Sequence, residues 1–203
     1  NLSASRQNDF DQNNSSNGLS GSIVGAIRAL PNVPIYSTTH PTGYNITPNA
    51  NSLGQGVNLR GIDDNYTNIA FVLDNNKYNS DQYRILDNIF AELSLAKGLK
   101  FRSQLGIDYY TDNSLQAWDP RHGDGASNNG YIYQGQQNIF NTNIQNYLTY
   151  ILSIKNTHNF IVTAGHELQQ TTSRFFRASG TNISDIFFAK DNVISGSVSV
   201  PSI

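Results

Sequence analysis

The most regular pattern of apolar and polar positions in this chain lies between residues 99 and 110. Leu99, Phe101, Leu105 and Ile107 alternate with polar residues, among them Lys100, Arg102, Gln104 and Asp108. Apolar residues at every second position predict a β-strand with one apolar and one polar face. A helix would place these charges on every side, so the alternation excludes a helical interpretation.

A second strand is predicted immediately before the first, over residues 84–95. Ile85, Ile89 and Leu93 share one face, and Phe90 and Asp87 break the alternation. The short connection at 96–98 ends in a glycine, which can adopt the positive φ that tight hairpins require. These strands of about 10 residues predict an antiparallel hairpin that is long enough to cross a bilayer when tilted.

A second hairpin is predicted over residues 140–169. Apolar residues alternate along 140–152, a short polar turn covers 153–158, and the alternation resumes at 160–168. Long polar stretches at 7–82, 111–137 and 179–203 separate the hairpins and predict loops. Short turns on one side and long loops on the other are typical of outer-membrane β-barrels.

Two smaller elements are predicted in the N-terminal part of the chain. Residues 1–6 read as a strand, and residues 22–30 read as a short helix that ends at Pro31. The prolines and asparagines that follow are incompatible with a hydrogen-bonded ladder, so we expect irregular structure there. Because the chain begins within a strand, we expect it to be a segment of a longer protein.

Composition supports a β-rich protein and narrows the classes of function. Only 14% of the 203 residues are charged, while asparagine, glycine and aromatic residues are abundant. The net charge of -2 argues against nucleic-acid binding. There is no cysteine for disulfides or thiolate metal sites, and no apolar run reaches the roughly 20 residues of a transmembrane helix.

Four stretches resemble the β-barrel of SusC-type (RagA-like) TonB-dependent outer-membrane transporters. They are RILDNIFAELSLAKGLKFRSQLGIDY at 84–109, NYLTYILSIKNTHNFIVTAGHELQ at 146–169, SGTNISDIFFA at 179–189 and, more weakly, ALPNVPIYSTTHPTGYN at 29–45. They follow one another in the family's order across most of the chain. Nothing in the chain resembles the family's plug domain, TonB box or carboxy-terminal strands.

The resemblance implies an all-β fold, in which residues 1–203 form one sector of a large transmembrane β-barrel. Its long loops would be extracellular and its short turns periplasmic. The resemblance also implies a bacterial outer-membrane location, a SusD-like lipoprotein partner, and coupling to TonB through a part of the protein outside this chain. The imported substrate would be a glycan, an oligosaccharide or a peptide.

Six residues are candidates for substrate or partner contacts. Arg102 and Gln104 lie on the polar face of a predicted strand, which would line the barrel lumen. The aromatic residues Trp118, Tyr131 and Tyr133, together with Arg121, lie in or beside the loop at 111–137. Aromatic rings in such a loop can stack on sugars, anchor the loop or meet a partner.

No catalytic, cofactor or metal site is predicted. His166 and Glu167 are adjacent and therefore point to opposite faces of a strand, and HExxH is absent. The segment 119–125, DPRHGDG, lacks the spacing of a calcium-binding EF-hand loop. The alternative to a transporter is a secreted β-rich module that binds carbohydrate or acts as an adhesin, and such a module would be a monomer without detergent.

Overall fold

The computed structural model describes residues 2–9, 22–47, 53–54, 66–155, 157–183 and 197–198. These residues form one antiparallel sheet that does not close on itself, with two short helices in the connection that follows the first strand. The strands occur in the sheet in the same order as in the sequence, so consecutive strands of the chain are hydrogen-bonded to each other. The predicted all-β class and antiparallel hairpins are confirmed.

The elements and their bounds are as follows. The strands are β1 (Leu2–Asp9), β2 (Lys77–Ala96), β3 (Leu99–Trp118), β4 (Tyr131–Ile154), β5 (His158–Thr181) and the two-residue β6 (Ser197–Val198). The helices are α1 (Ser22–Arg28) and α2 (Ile69–Asn75), and a 3-10 helix covers Gly123–Asn128. Among these residues, no helix is long and apolar enough to cross a membrane.

The hairpin strands are longer than the sequence pattern predicted. Strands β2 and β3 each have 20 residues, and β4 and β5 each have 24. The predicted loop at 111–137 is therefore wrong at both ends, because β3 continues to Trp118 and β4 begins at Tyr131. About half of the residues in these strand ends are Thr, Asn, Ser or Gln, so alternation of apolar and polar residues does not reveal them.

The N-terminal predictions were partly right. The strand expected at 1–6 is β1, and the helix expected at 22–30 is α1, which ends two residues earlier. The expected loop at 7–82 missed α2 and the start of β2. Of the expected loop at 179–203, residues 179–181 belong to β5 and 197–198 form β6, while 184–196 and 199–203 lie outside the described residues.

The chain divides into two compact units, which contain the strands, the helices and their connections. Unit 1 lies within Asn1–Gln7, Gln82–Asp112 and Gln137–Phe175, and unit 2 lies within Asn8–Asp81, Asn113–Gln136 and Phe176–Ile203. Unit 1 contains both hairpin turns, one at residues 97–98 and one that includes residues 155 and 157. Unit 2 contains both helices, the 3-10 helix and the connection between β3 and β4.

Unit 1 has no hydrophobic core. None of its described residues is buried, and large apolar side chains such as Ile89, Leu93 and Val162 are exposed over more than half of their surface. Folded domains normally cover such side chains with a second layer of structure. Unit 1 is therefore a single layer of strands.

The two faces of this layer differ in chemistry, as the alternation predicted. Arg84 pairs with Asp108, Lys100 pairs with Glu92, and Asn143 donates to Glu167, which places these residues on one polar face. The residues between them point to the other face. This apolar face carries Ile85, Ile89, Leu93, Leu95, Leu105, Phe140, Ile144, Leu148, Leu152, Phe160, Val162 and Leu168.

Unit 2, in contrast, has a buried core. Leu115 and Ala117 of β3 pack with Ile132 of β4 and with Ile183, which follows β5. Phe71 and Val72 of α2 are also buried, as are Val33, Ile46 and Leu53 of the segment that precedes it. Helix α2 begins at the N-cap Asn68, whose side chain accepts a hydrogen bond from the Phe71 N–H at 3.2 Å.

We predict that Gly98 is essential to the β2–β3 turn. Its φ is +80°, and a Cβ atom there would lie 2.4 Å from the carbonyl oxygen of Ile151. Gly98→Ala should lower the free energy of unfolding by about 2 kcal/mol or more, because the clash adds to the cost of a positive φ. Urea denaturation measures this change.

Gly43 offers a matched control for this prediction. Its φ is +79°, but a Cβ atom there would meet nothing within 4 Å. Gly43→Ala should therefore cost only about 1 kcal/mol, the cost of the backbone conformation. Equal losses for the two variants would show that the contact with Ile151 does not constrain the turn.

Candidate functional site

Two places in the structure carry the functional candidates, one in each unit. In unit 1, Arg102 and Gln104 lie on the polar face, and the Arg102 Nη2 donates to Gln104 Oε1 at 3.1 Å. The guanidinium of Arg102 also lies over the ring of Phe90, 4.2 Å from its centroid. This cation–π contact accounts for Phe90, which interrupted the alternation of β2.

The polar face of unit 1 is joined by hydrogen bonds that run from strand to strand. Arg84 contacts Asp108 through two nitrogens, at 2.9 and 2.8 Å, and Asn141 donates to the same carboxylate at 3.4 Å. Asn143 and Gln145 both donate to Glu167, at 2.8 and 3.1 Å. Most charges on this face are thereby paired, although they remain in contact with solvent.

A groove of about 510 Å³ crosses the polar face. The side chains that line it include Asn88, Asp108, Asn141, Asn143 and Gln169, and Gly106 leaves space at its centre. The Oδ1 atom of Asn143 is buried and has no hydrogen-bond partner. The groove therefore presents mainly amide groups, which can donate and accept hydrogen bonds and suit a ligand that carries hydroxyl or amide groups.

In unit 2, the structure brings two of the predicted aromatic residues together. Trp118 ends β3 and Tyr131 begins β4, and their ring centroids are 4.5 Å apart with planes inclined by 36°. The Nε1 atom of Trp118 is buried without a hydrogen-bond partner. Tyr133 lies one pleat further along β4, and its ring packs beside Gly135.

Arg121, the fourth candidate in this region, belongs to a different group of side chains. Its guanidinium contacts Asp119 through two nitrogens, at 2.8 and 2.6 Å, and donates to Asn75 Oδ1 at 3.1 Å. The Asp119 carboxylate is completely covered and, by hydrogen bonding, raises the pKa of Arg121. The guanidinium of Arg121 is therefore already bound within the protein, by Asp119 and Asn75, and its role is structural.

We call the group around Arg121 the clasp, and define it as Asn68, Phe71, Asp119, Arg121 and His122. Phe71 and His122 are completely buried, and their rings meet edge-to-face at 5.5 Å. The guanidinium of Arg121 lies over the Phe71 ring at 5.3 Å. The clasp joins α2 to the connection between β3 and β4.

Sequence reasoning missed most of the clasp. Residues 66–76 were expected to be loop, although an asparagine followed by the apolar run Ile69, Phe71 and Val72 is a recognisable start of a helix. His122 and Asn68 are 54 residues apart, so no local pattern could pair them. In the segment 119–125, Asp119 forms an ion pair with Arg121. In the described part of the chain, no three His, Asp or Glu residues form a group that could hold a metal ion.

No protein-family model and no curated protein match the sequence of this chain.

We predict that Asp119→Asn destabilises unit 2. The substitution leaves the half-buried guanidinium of Arg121 without its counter-ion, and hydrogen bonds to charged groups contribute about 1.5–3 kcal/mol. The loss is measured as a shift of the denaturation midpoint. Glu92→Gln is the control, since it breaks an exposed ion pair with Lys100 and should shift the midpoint little.

A second prediction concerns high pH. The hydroxyl of Tyr44 donates to Asp74, and this bond, together with burial, raises the pKa of Tyr44 to about 12. Because an ordinary tyrosine titrates near pH 10, the stabilisation is complete below about pH 10 and is lost as the pH rises through about 12.

Near-ultraviolet absorbance follows this ionisation directly. Tyr44→Phe should remove the last tyrosine step of the titration. Tyr36→Phe, which removes only the hydroxyl from the ring that packs against Tyr44, should retain it. A late step that persists in Tyr44→Phe would contradict the assignment.

Proposed function

We propose that this chain forms part of the wall of a transmembrane β-barrel in a bacterial outer membrane. The observation that carries the proposal is the apolar face of unit 1, which no described layer covers. Each large apolar side chain gains about 1.5–3 kcal/mol when it leaves water. A lipid bilayer provides that cover without a second layer of protein.

The dimensions and the opposite face of unit 1 support the same proposal. A bilayer is crossed by about 9–11 residues of a tilted strand, and each long strand has at least 20 residues. The polar face carries paired charges and amides, which suit a water-filled lumen. Because lipid cannot satisfy backbone N–H and C=O groups, the open edges of this sheet require further strands.

The transported substrate and the partners are proposed from the sequence resemblance. We propose a SusC-type, TonB-dependent transporter that imports oligosaccharides, other glycans or peptides with a SusD-like lipoprotein. The amide-lined groove on the polar face and the rings of Trp118 and Tyr131 are compatible with a sugar or a peptide. In this role the chain provides a wall and a loop surface, and no catalytic step is assigned to it.

A secreted β-rich binding module is the second candidate. The buried core of unit 2 favours it, because that core resembles the interior of a soluble domain. Such a module would have to cover the apolar face of unit 1 with protein, and it would remain monomeric in plain buffer. Outer-membrane fractionation of the native protein separates the two candidates, since only the transporter requires detergent.

We predict that a new charge is costly at one position of β5 and tolerated at the next. Leu168 lies on the apolar face and Gln169 on the polar face. Leu168→Arg should cost about 2–4 kcal/mol if its side chain contacts lipid near the bilayer centre, and Gln169→Arg should cost little. The measurement is the fraction of each variant that assembles in the outer membrane. Equal assembly of both variants would contradict contact with lipid.

A further inference from the structure

The imidazole of His122 is held in one protonation state by its surroundings. It is completely buried, and its Nε2 accepts a hydrogen bond from the backbone N–H of Asn68 at 2.8 Å. A ring nitrogen accepts a hydrogen bond only when it carries no proton. His122 is therefore neutral here, since a proton on Nε2 would face the Asn68 N–H and place a charge in the interior.

The residue that His122 holds connects three parts of unit 2. Asn68 is the N-cap of α2, where its side-chain oxygen accepts from the Phe71 N–H at 3.2 Å. Its side-chain nitrogen donates to the carbonyl of Ile35 at 2.7 Å. Displacement of Asn68 from His122 would therefore loosen the start of α2 and its attachment to the preceding segment.

The charged groups that the structure describes near His122 already have partners. On its own segment, Asp119 is occupied by Arg121, whose guanidinium lies over the same Phe71 ring that the imidazole contacts. Asp124 follows in the 3-10 helix. From α2, Asp74 accepts a hydrogen bond from the hydroxyl of Tyr44, whose ring also contacts Phe71. An imidazolium would enter a buried region whose nearest described carboxylates already have partners.

We propose that His122 is a proton-sensitive latch, which closes the clasp when it is neutral and opens the clasp when it takes up a proton. In the closed state α2 is fixed to the connection between β3 and β4. In the open state the imidazolium reaches water and Asn68 is released. The direction follows from linkage, because the open state binds one more proton than the closed state and is favoured as the pH falls. This inference does not rest on the proposed transport function.

Amide hydrogen–deuterium exchange of the full-length protein measures the opening. After correction for the intrinsic pH dependence of exchange, opening of residues 69–75 should increase about 30-fold between about pH 7.5 and about pH 5.0. This factor is the additional protonation of a free imidazole with a pKa of about 6.5. An opening equilibrium that does not change over this range overturns the proposal.

The variant His122→Gln distinguishes the effect of protonation from the effect of the hydrogen bond to Asn68. Glutamine offers an oxygen that can accept from the Asn68 N–H, but it does not titrate. Opening in this variant should be independent of pH. His40→Gln is the matched control, since His40 bonds Thr42 outside the clasp, and this variant should keep the 30-fold response. The same pH response in His122→Gln as in the unmodified protein would contradict the latch.

A measurement on the unmodified protein covers the case in which His122→Gln does not fold. Exchange of the imidazole C2 hydrogen, followed by mass spectrometry of the peptide that contains residue 122, reports the protonation of His122 directly. The latch requires that the closed protein protonate His122 at a pH well below that of a free histidine. Ordinary titration of His122 in the closed state would overturn the proposal.

Discussion

The structure depends on the pairing of long neighbouring strands into one sheet, and in unit 1 the two faces of this sheet differ in polarity. In unit 1 the sheet satisfies the backbone between its strands, but it leaves one face of isoleucine, leucine and phenylalanine side chains uncovered. The other face is held together by ion pairs and amides, such as the two bonds between Arg84 and Asp108. A sheet of this kind is stable only where its apolar face has left water. This requirement is the physical basis for the proposed membrane location.

Unit 2 is stabilised by different interactions. Its core is small, and contacts among polar and aromatic side chains fix the segments that connect the strands. The clasp combines a covered carboxylate, a guanidinium that lies over a phenylalanine ring, and a buried neutral imidazole. Such groups stabilise the fold only together, because removal of one partner leaves a buried charge or polar group without its hydrogen bond. The connection between β3 and β4 is therefore held in a defined conformation by a few side chains that are sensitive to charge.

The sequence predicted the hairpins well because apolar and polar residues alternate over many positions of unit 1, with few interruptions such as Asp87 and Phe90. It underestimated the strand lengths, because segments such as 111–117 contain polar residues on both faces and are recognisable as strands only from their pairing. The contacts of the candidate residues also fall into two groups, those that follow from strand pairing and those that do not. Trp118 with Tyr131, and Arg102 with Gln104, came together because they are close in sequence or on paired strands. The contacts of Arg121 with Phe71 and of His122 with Asn68 depend on the three-dimensional path of two connections, which no periodic pattern encodes.

The central claim is that the apolar face of unit 1 contacts lipid. The chain contains no cysteine, so single cysteines placed at successive positions of 160–169 can carry spin labels without interference. Collision rates with oxygen, which dissolves in lipid, and with a water-soluble nickel complex then report the environment of each position. The account predicts a period of two, with high oxygen collision at 160, 162, 164 and 168 and high nickel collision at 163, 165, 167 and 169. Uniform access of the nickel complex, or protection of the even positions from both reagents, would show that water or protein covers this face and would contradict the account.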